Sequence, residues 1–238
     1  MTISQGQGVS GNDIIPLSSL QLIGISGHAG VGKDTVAQYL AEKYENVYGE
    51  AFAEPLKRAC AAAFGLPLHW FHDRELKEQP TDWEGITTRK IAQFVGTEMF
   101  RNLTPKLYGT FGRSHWIRLL EMRLTGLSAP PEGQGFYSPG DTVIITDVRF
   151  QDEADWIRAN GGIILRVKRQ GCDGNVGLVG RASETSYVSP DYLLYNDYSM
   201  EDLYASINRF IHTFTSKGIL KLTPRKEEST NGYSESSF

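Results

Sequence analysis

The nonapeptide Gly27-His28-Ala29-Gly30-Val31-Gly32-Lys33-Asp34-Thr35 constrains this chain more than any other stretch. It spells G-x-x-x-x-G-K directly after the apolar run Leu22-Ile23-Gly24-Ile25 and directly before a helical stretch from 33 to about 44. Glycines allow a sharp turn and close backbone approach, and the N–H groups opening the following helix suit a phosphate. Lys33 then supplies a point charge for the β- and γ-phosphates of a nucleotide. A strand, a loop and a helix in that order belong in a parallel sheet with crossover connections.

The rest of the chain repeats the alternation. Strand signals at 47–52, 143–146 and 162–167 are interleaved with helical signals at 54–64, 88–102, 115–124, 152–159 and 200–215. Thr88 is a plausible N-cap for the second of these helices. The class is therefore α/β, a central parallel sheet between helices. A main domain over 21–222 is expected, with a polar leader over 1–20 and a charged, Ser-rich tail over 223–238 that is expected to be disordered. A Pro- and Gly-rich break falls at 128–141.

Composition narrows the class of protein. With 24 basic and 28 acidic side chains the net charge is −4, which argues against a dedicated nucleic-acid binder. The 40% apolar fraction is ample for a core, yet no run is long enough to span a membrane. No basic n-region or apolar h-region opens the chain, so no secretory signal is expected. Two cysteines, Cys60 and Cys172, make no disulfide framework and no zinc motif, and a reduced cytoplasmic setting follows. No NKxD segment for reading guanine occurs, which lowers a GTPase reading.

The candidate site residues follow from the loop outward. After Lys33 a P-loop normally carries Ser or Thr for Mg²⁺, and here stands Asp34 with Thr35 next. Either Thr35 takes the hydroxyl role, or Asp34 holds the metal by its carboxylate or through a water, or Asp34 is a helix N-terminal acid favoured by the dipole. Arg89, Gln93, Thr97 and Arg101 recur every four residues and make one polar stripe on a helix, beside Gly96. That stripe suits a phosphate and a base edge, or is a solvated face. Lys57, after the second strand, suits an acceptor phosphate or is a surface lysine. Trp116 suits base stacking or core packing.

Asp147 stands at the end of the buried run 143–146, where ligands of parallel sheets bind. It can orient metal-bound water or accept a hydrogen bond, or it caps the next helix. Arg149 can clamp phosphate, and Glu153 follows. Arg169, a glycine-rich segment and Arg181 read as a lid over about 169–190, or as an ordinary loop.

GHAGVGKDT, FAEPLK, RKIAQFVGTEMFR, ITDVRFQDEADWIRANGG and a late SET…PD…ND…EDL pattern together resemble the bacteriophage deoxynucleoside monophosphate kinases, in the same order from about 22 to 210. The resemblance implies a P-loop nucleoside-monophosphate-kinase-like three-layer fold, with acceptor-binding helices over about 54–125. It implies in-line transfer of the γ-phosphoryl of ATP, with Mg²⁺, to a deoxynucleoside monophosphate (dNMP). By motif position Gly27, Ala29, Gly30, Val31, Gly32, Lys33, Asp34 and Thr35 would serve ATP and metal. Lys57, Arg89, Lys90, Gln93, Gly96, Thr97, Arg101 and Trp116 would hold the monophosphate. Asp147, Arg149 and Glu153 would line the reacting centre, with Asp147 also a metal candidate and Arg169 and Arg181 on the lid. A homodimer in the host cytoplasm is implied too. Rival readings are another small-molecule P-loop kinase of the dephospho-coenzyme-A or phosphomevalonate type, and a non-catalytic ATP-binding regulator.

Overall fold

Alternating side chains of the strands define two cores, and those cores define the layers. The computed structural model describes residues 14–109, 115–130, 134–172 and 188–226. Strands β1 (Gln21–Ser26), β2 (Val47–Glu50), β3 (Thr142–Ile145), β4 (Ile163–Lys168) and β5 (Tyr192–Tyr195) pair in the order β2-β3-β1-β4-β5, all parallel. Leu22, Val143, Ile145 and Ile164 bury on one face, whereas Ile23, Ile144, Ile163 and Leu165 bury on the other. Each such side chain contributes about 1.5–3 kcal/mol by leaving water.

Helices α1 (Lys33–Lys43) and α8 (Met200–Ser216) cover the second face with Val36, Leu40, Leu203, Ile207 and Phe210. On α8 the apolar positions follow helical spacing, and Ser199 with Asp202 closes a capping box at its start. The first face carries α2 (Glu54–Phe64), α4 (Thr88–Gln93), α6 (His115–Leu124) and α7 (Gln151–Ala159). Short helices α3 (His69–His72) and α5 (Thr104–Tyr108) complete the insert. This is the three-layer α/β arrangement that the alternation implies.

Three details depart from the sequence reading. The helix expected over 88–102 is α-helical only to Gln93 and continues as a π-helix over Phe94–Leu103. Its N-cap is Thr87, whose side chain accepts from Lys90 N–H, while Thr88 is buried and donates to Trp70 O at 2.8 Å. Order begins before residue 21, because Leu17 and Leu20 are buried and Ile15 N–H bonds Thr125 O at 3.1 Å. At the other end Thr223 O accepts from Glu45 N–H and Arg225 N–H donates to Lys43 O, both at 2.9 Å, so 223–226 are tied down. Residues 227–238 lie outside the described residues.

Gly162, just before β4, permits the close approach of strand and helix. A Cβ there would stand 2.6 Å from Ile157 Cγ2 and 2.8 Å from the backbone oxygen of Leu22. Gly162→Ala is expected to destabilise the fold by about 1–3 kcal/mol, the usual cost of overpacking, read as a lower urea midpoint with the slope unchanged. An unaltered midpoint would show that the backbone yields there.

No helix among the described residues is long and apolar enough to cross a membrane.

Candidate active site

The connection after β1 leads to α1 on one face of the sheet, and the connection after β3 leads to α7 on the other. Adjacent strands whose connections part in this way open a crevice at their C-terminal ends. A cleft of about 800 Å³ lies there.

The loop between β1 and α1 forms one wall. Gly27, Gly30 and Gly32 take φ of 142°, 81° and 99°, a region that side chains disfavour. At Gly27 a Cβ would also meet Val167 O at 2.5 Å. Gly32 occupies the N-cap of α1 with no side chain capping it, so the first N–H groups of the helix remain available to an anion. Lys33 arches back and donates Nζ to Gly27 O at 3.0 Å and His28 O at 2.8 Å, which sets its charge over the loop. Behind the loop, buried Asn196 donates Nδ2 to Val31 O at 2.9 Å and its N–H to Lys168 O at 2.8 Å. Asn196→Ala is expected to weaken binding of a phosphate-bearing ligand at this loop about tenfold, the equivalent of one lost bond of ~1.4 kcal/mol, with ligand binding elsewhere in the cleft unchanged. Equal weakening at both places would instead mark general loosening.

The rest of the cleft is cationic, and Arg74 reaches the P-loop itself, its Nη2 standing 3.7 Å from where a Cβ on Gly30 would lie. Lys57, Arg74, Lys77, Arg89 and Arg149 line the cleft together with Lys33. Burial and then the charges of Arg89 and Lys57 hold the Lys77 ammonium below its ordinary pKa. Burial and Lys57 likewise lower His72, whose ring stands 3.4 Å from Lys57 Nζ and 3.3 Å from Glu54 Oε2. Like charges crowded in this way favour a bound polyanion. Arg89 is paired with Glu78. The guanidinium of Arg149, an exposed residue, forms no ion pair among the described residues.

Arg101 is differently placed. Its Nη1 donates to Asp152 Oδ1 and Oδ2 at 2.9 and 2.8 Å, its Nη2 donates to Glu153 Oε1 at 2.9 Å, and its guanidinium lies 3.6 Å above the Phe150 ring. Glu153 Oε2 accepts from Arg149 N–H at 2.8 Å and Phe150 N–H at 3.1 Å. Burial, with the charge of Asp147 second, pushes the Glu153 carboxyl up to about 7 against these donors.

The sign of the pH effect follows. The folded pKa exceeds the unfolded value, so this group's stabilisation is fully present below pH ~4.5 and is lost as pH rises through about 7. Between pH 4.5 and 8 the wild type should therefore lose on the order of 3 kcal/mol relative to Glu153→Gln. Urea unfolding of both proteins in magnesium-free buffer across that range reads the difference; a constant gap would refute the buried titration.

Asp147 does not cap α7, whose N-cap is Phe150. Its Oδ1 accepts from Phe52 N–H at 2.8 Å and its Oδ2 from Ala53 N–H at 2.9 Å, which ties the turn ahead of α2 to the end of β3. Trp116 is both core and wall: it is buried, packs on Phe100, donates Nε1 to Gly96 O at 3.2 Å, and lines the cleft.

The cleft thus gathers Gly27, Ala29, Gly30, Lys33, Asp34, Lys57, Arg89, Gln93, Gly96, Thr97, Arg101, Trp116, Asp147, Arg149 and Glu153 from five separate stretches of sequence. Val31, Gly32 and Thr35 belong to the loop and helix but do not line it, and Val31 is fully buried. Lys90 and Arg169 are exposed and are not among the residues that line the cleft. Arg181 and most of the expected lid lie outside the described residues. Sequence reasoning missed His72, Arg74, Lys77, Glu50 and Gln134, since 66–86 shows no periodicity and Gln134 sits in the Pro- and Gly-rich break. Only the excess of Lys, Arg and His between 69 and 77 could have signalled that wall.

No group of three or more metal-ligating side chains gathers among the described residues. Mg²⁺ bound with nucleotide usually takes one or two carboxylates plus phosphate oxygens and water. Asp34, exposed at the start of α1 and lining the cleft, fits that donor set.

Among known proteins, a putative deoxynucleotide monophosphate kinase of Acanthamoeba polyphaga mimivirus is 34% identical over 195 residues, covering 78% of this chain and 93% of its own. The deoxynucleotide monophosphate kinase of Escherichia phage RB69 is 26% identical over 123 residues, covering 52% of this chain and 44% of its own. No protein-family model matches the chain.

Proposed function

The chain belongs to the deoxynucleotide monophosphate kinase family, and we propose that it transfers the γ-phosphoryl of ATP directly to a dNMP, giving the diphosphate and ADP. The observation that carries this reading is one cleft that holds a P-loop together with a cluster of Lys57, Lys77, Arg89 and Arg149. Two phosphate-bearing ligands brought end to end need that arrangement, a cradle for one and cations for the other.

The P-loop amides and Lys33 bind the donor phosphates. Bound Mg²⁺ would neutralise charge on those phosphates, and Asp34, with Thr35 behind it, would hold it directly or through water. Lys57, Lys77 and Arg89 take the acceptor phosphate, Arg74 lies beside the P-loop, and Gln93, Gly96, Thr97 and Trp116 wall the acceptor's nucleoside. The acceptor phosphate is already an oxyanion, so no strong general base is needed. Arg149 reaches the transferring group. Asp147 acts as a strut that fixes the α2 turn, and Glu153 with Arg101 holds the segment carrying Arg149. We infer a cytoplasmic homodimer, in keeping with the exposed apolar residues Phe94, Leu103, Leu107 and Tyr108 along 94–108.

ADP release from ATP and Mg²⁺ with dAMP, dGMP, dCMP, dTMP, their ribose counterparts and dephospho-coenzyme A tests the reading. Stimulation by one or more deoxynucleotides is the expected result. Silence with every nucleotide, or a response to dephospho-coenzyme A alone, would overturn it.

A further inference from the structure

β2 ends on Glu50, whose carboxylate lines the cleft but plays no part in handling phosphate. Tyr137 donates its hydroxyl to Glu50 Oε1 at 2.6 Å, and Arg123 Nε stands 3.5 Å from the same oxygen. Glu50 Oε2 forms no hydrogen bond among the described residues. The Arg123 guanidinium lies 4.7 Å from the Tyr137 ring centroid and donates Nη2 to Gln134 Oε1 at 3.2 Å and Gly135 O at 3.0 Å. Gln134 lines the cleft as well. With its oxygen engaged by Arg123, what the Gln134 amide has left to offer is its N–H donors.

One buried guanidinium therefore holds an acceptor and a donor side by side. The side chains of Glu50 and Arg123 are only 9% and 10% exposed, and Arg123 Nε and Nη1 form no hydrogen bond among the described residues. A buried ion pair with unsatisfied donors is a poor stabiliser, because desolvation offsets the attraction. Its position at a cleft wall points to recognition instead.

The strand order fixes where that wall lies. β2 is separated from β1 by β3, so Glu50 stands two strand spacings, about 10 Å, from the P-loop strand. Asp147 and Arg149, which follow β3, fall between them. Donor phosphates at β1 and an acceptor phosphate on the cationic wall leave the acceptor's nucleoside directed toward the end of β2.

We propose that Glu50 and Gln134 read the base edge of the acceptor nucleotide, Glu50 Oε2 accepting an N–H or amino group of the base and Gln134 Nε2 donating to the ring nitrogen or carbonyl oxygen beside it. Each nucleobase carries such a donor next to such an acceptor, and buried polar groups that lose this complement are left unpaired, which is what makes hydrogen-bonded readout discriminating. Tyr137 and Arg123 are positioning residues that orient the pair. The inference rests on the dNMP kinase reading above.

The test compares wild type, Glu50→Gln and Gln134→Ala for kcat/KM with dAMP, dGMP, dCMP and dTMP, for KM of ATP, and for competitive inhibition by 2-deoxyribose 5-phosphate, which has no base. Both variants are expected to lose about tenfold or more in kcat/KM with the wild type's best acceptor, as one lost polar contact implies. The loss should fall on KM of the acceptor, and the spread of preference among the bases should narrow. KM of ATP and inhibition by the base-free sugar phosphate should match wild type. An equal loss for all four acceptors with matching weaker inhibition by the sugar phosphate would make the cluster structural and overturn the proposal, as would no loss at all. Gln134 is exposed, so its variant decides the matter even if Glu50→Gln fails to fold. Wild type that turns over none of the four would instead sink the kinase reading itself.

Discussion

Arg149→Ala is expected to cut kcat for dNMP phosphorylation by about 10²–10³-fold, the loss typical of removing one preorganised donor from a transition state. The geometry singles this residue out. Arg101 is committed to Asp152 and Glu153, and Arg89 is paired with Glu78. The backbone of Arg149 is meanwhile fixed by Glu153 Oε2 at 2.8 Å, with its guanidinium in no ion pair among the described residues. A rigid main chain with an unengaged cation suits a group that meets charge only as it develops. Because the loss lies in the transition state, KM for ATP and for the monophosphate should stay within about threefold, by the same logic that separates uniform from differential binding. A variant that keeps most of its turnover would remove Arg149 from the reacting centre.

Lys33→Ala should produce a loss of similar size, on the order of 10²–10³-fold in kcat/KM, but divided differently. Lys33 Nζ already contacts Gly27 O and His28 O, so its removal both takes a charge from the β/γ-phosphates and releases the loop. KM for ATP should rise while KM for the acceptor changes little, the reverse of what a defect in the cationic wall would give. If instead Lys33→Ala raised only the acceptor's KM, the donor and acceptor sides of the cleft would have to be exchanged.

Much of this was legible in the sequence because it was local. The G-x-x-x-x-G-K stretch gave the loop, and the 54–64 and 115–124 helices carried their own spacing and ends, as with Gly65 closing α2 at φ 63°. Whatever depends on tertiary packing was not legible. The π-helix over Phe94–Leu103 has the same four-residue spacing of Gln93, Thr97 and Arg101 that an α-helix would show, so periodicity could not distinguish them. Leu17 and Leu20 sit in a polar segment and bury only because the folded core on that face of the sheet receives them. Short β5, with Leu194 alone fully buried, carries too little pattern to announce a strand. The ion pairs of Arg101 were not legible, because nothing local reveals that Asp152 and Glu153 come to meet it across fifty residues. For the same reason the Glu50–Arg123–Tyr137 cluster, drawn from β2, α6 and the segment before β3, is invisible until the chain is folded.

The most direct test of the central claim follows the phosphorus atom. ATP labelled at the γ-phosphoryl is incubated with the purified protein, Mg²⁺ and each dNMP in turn, and the products are separated. Label appearing in the deoxynucleoside diphosphate, matched one for one by ADP, is the result this account predicts. Label found only in orthophosphate, or left in ATP whatever the acceptor, would contradict it.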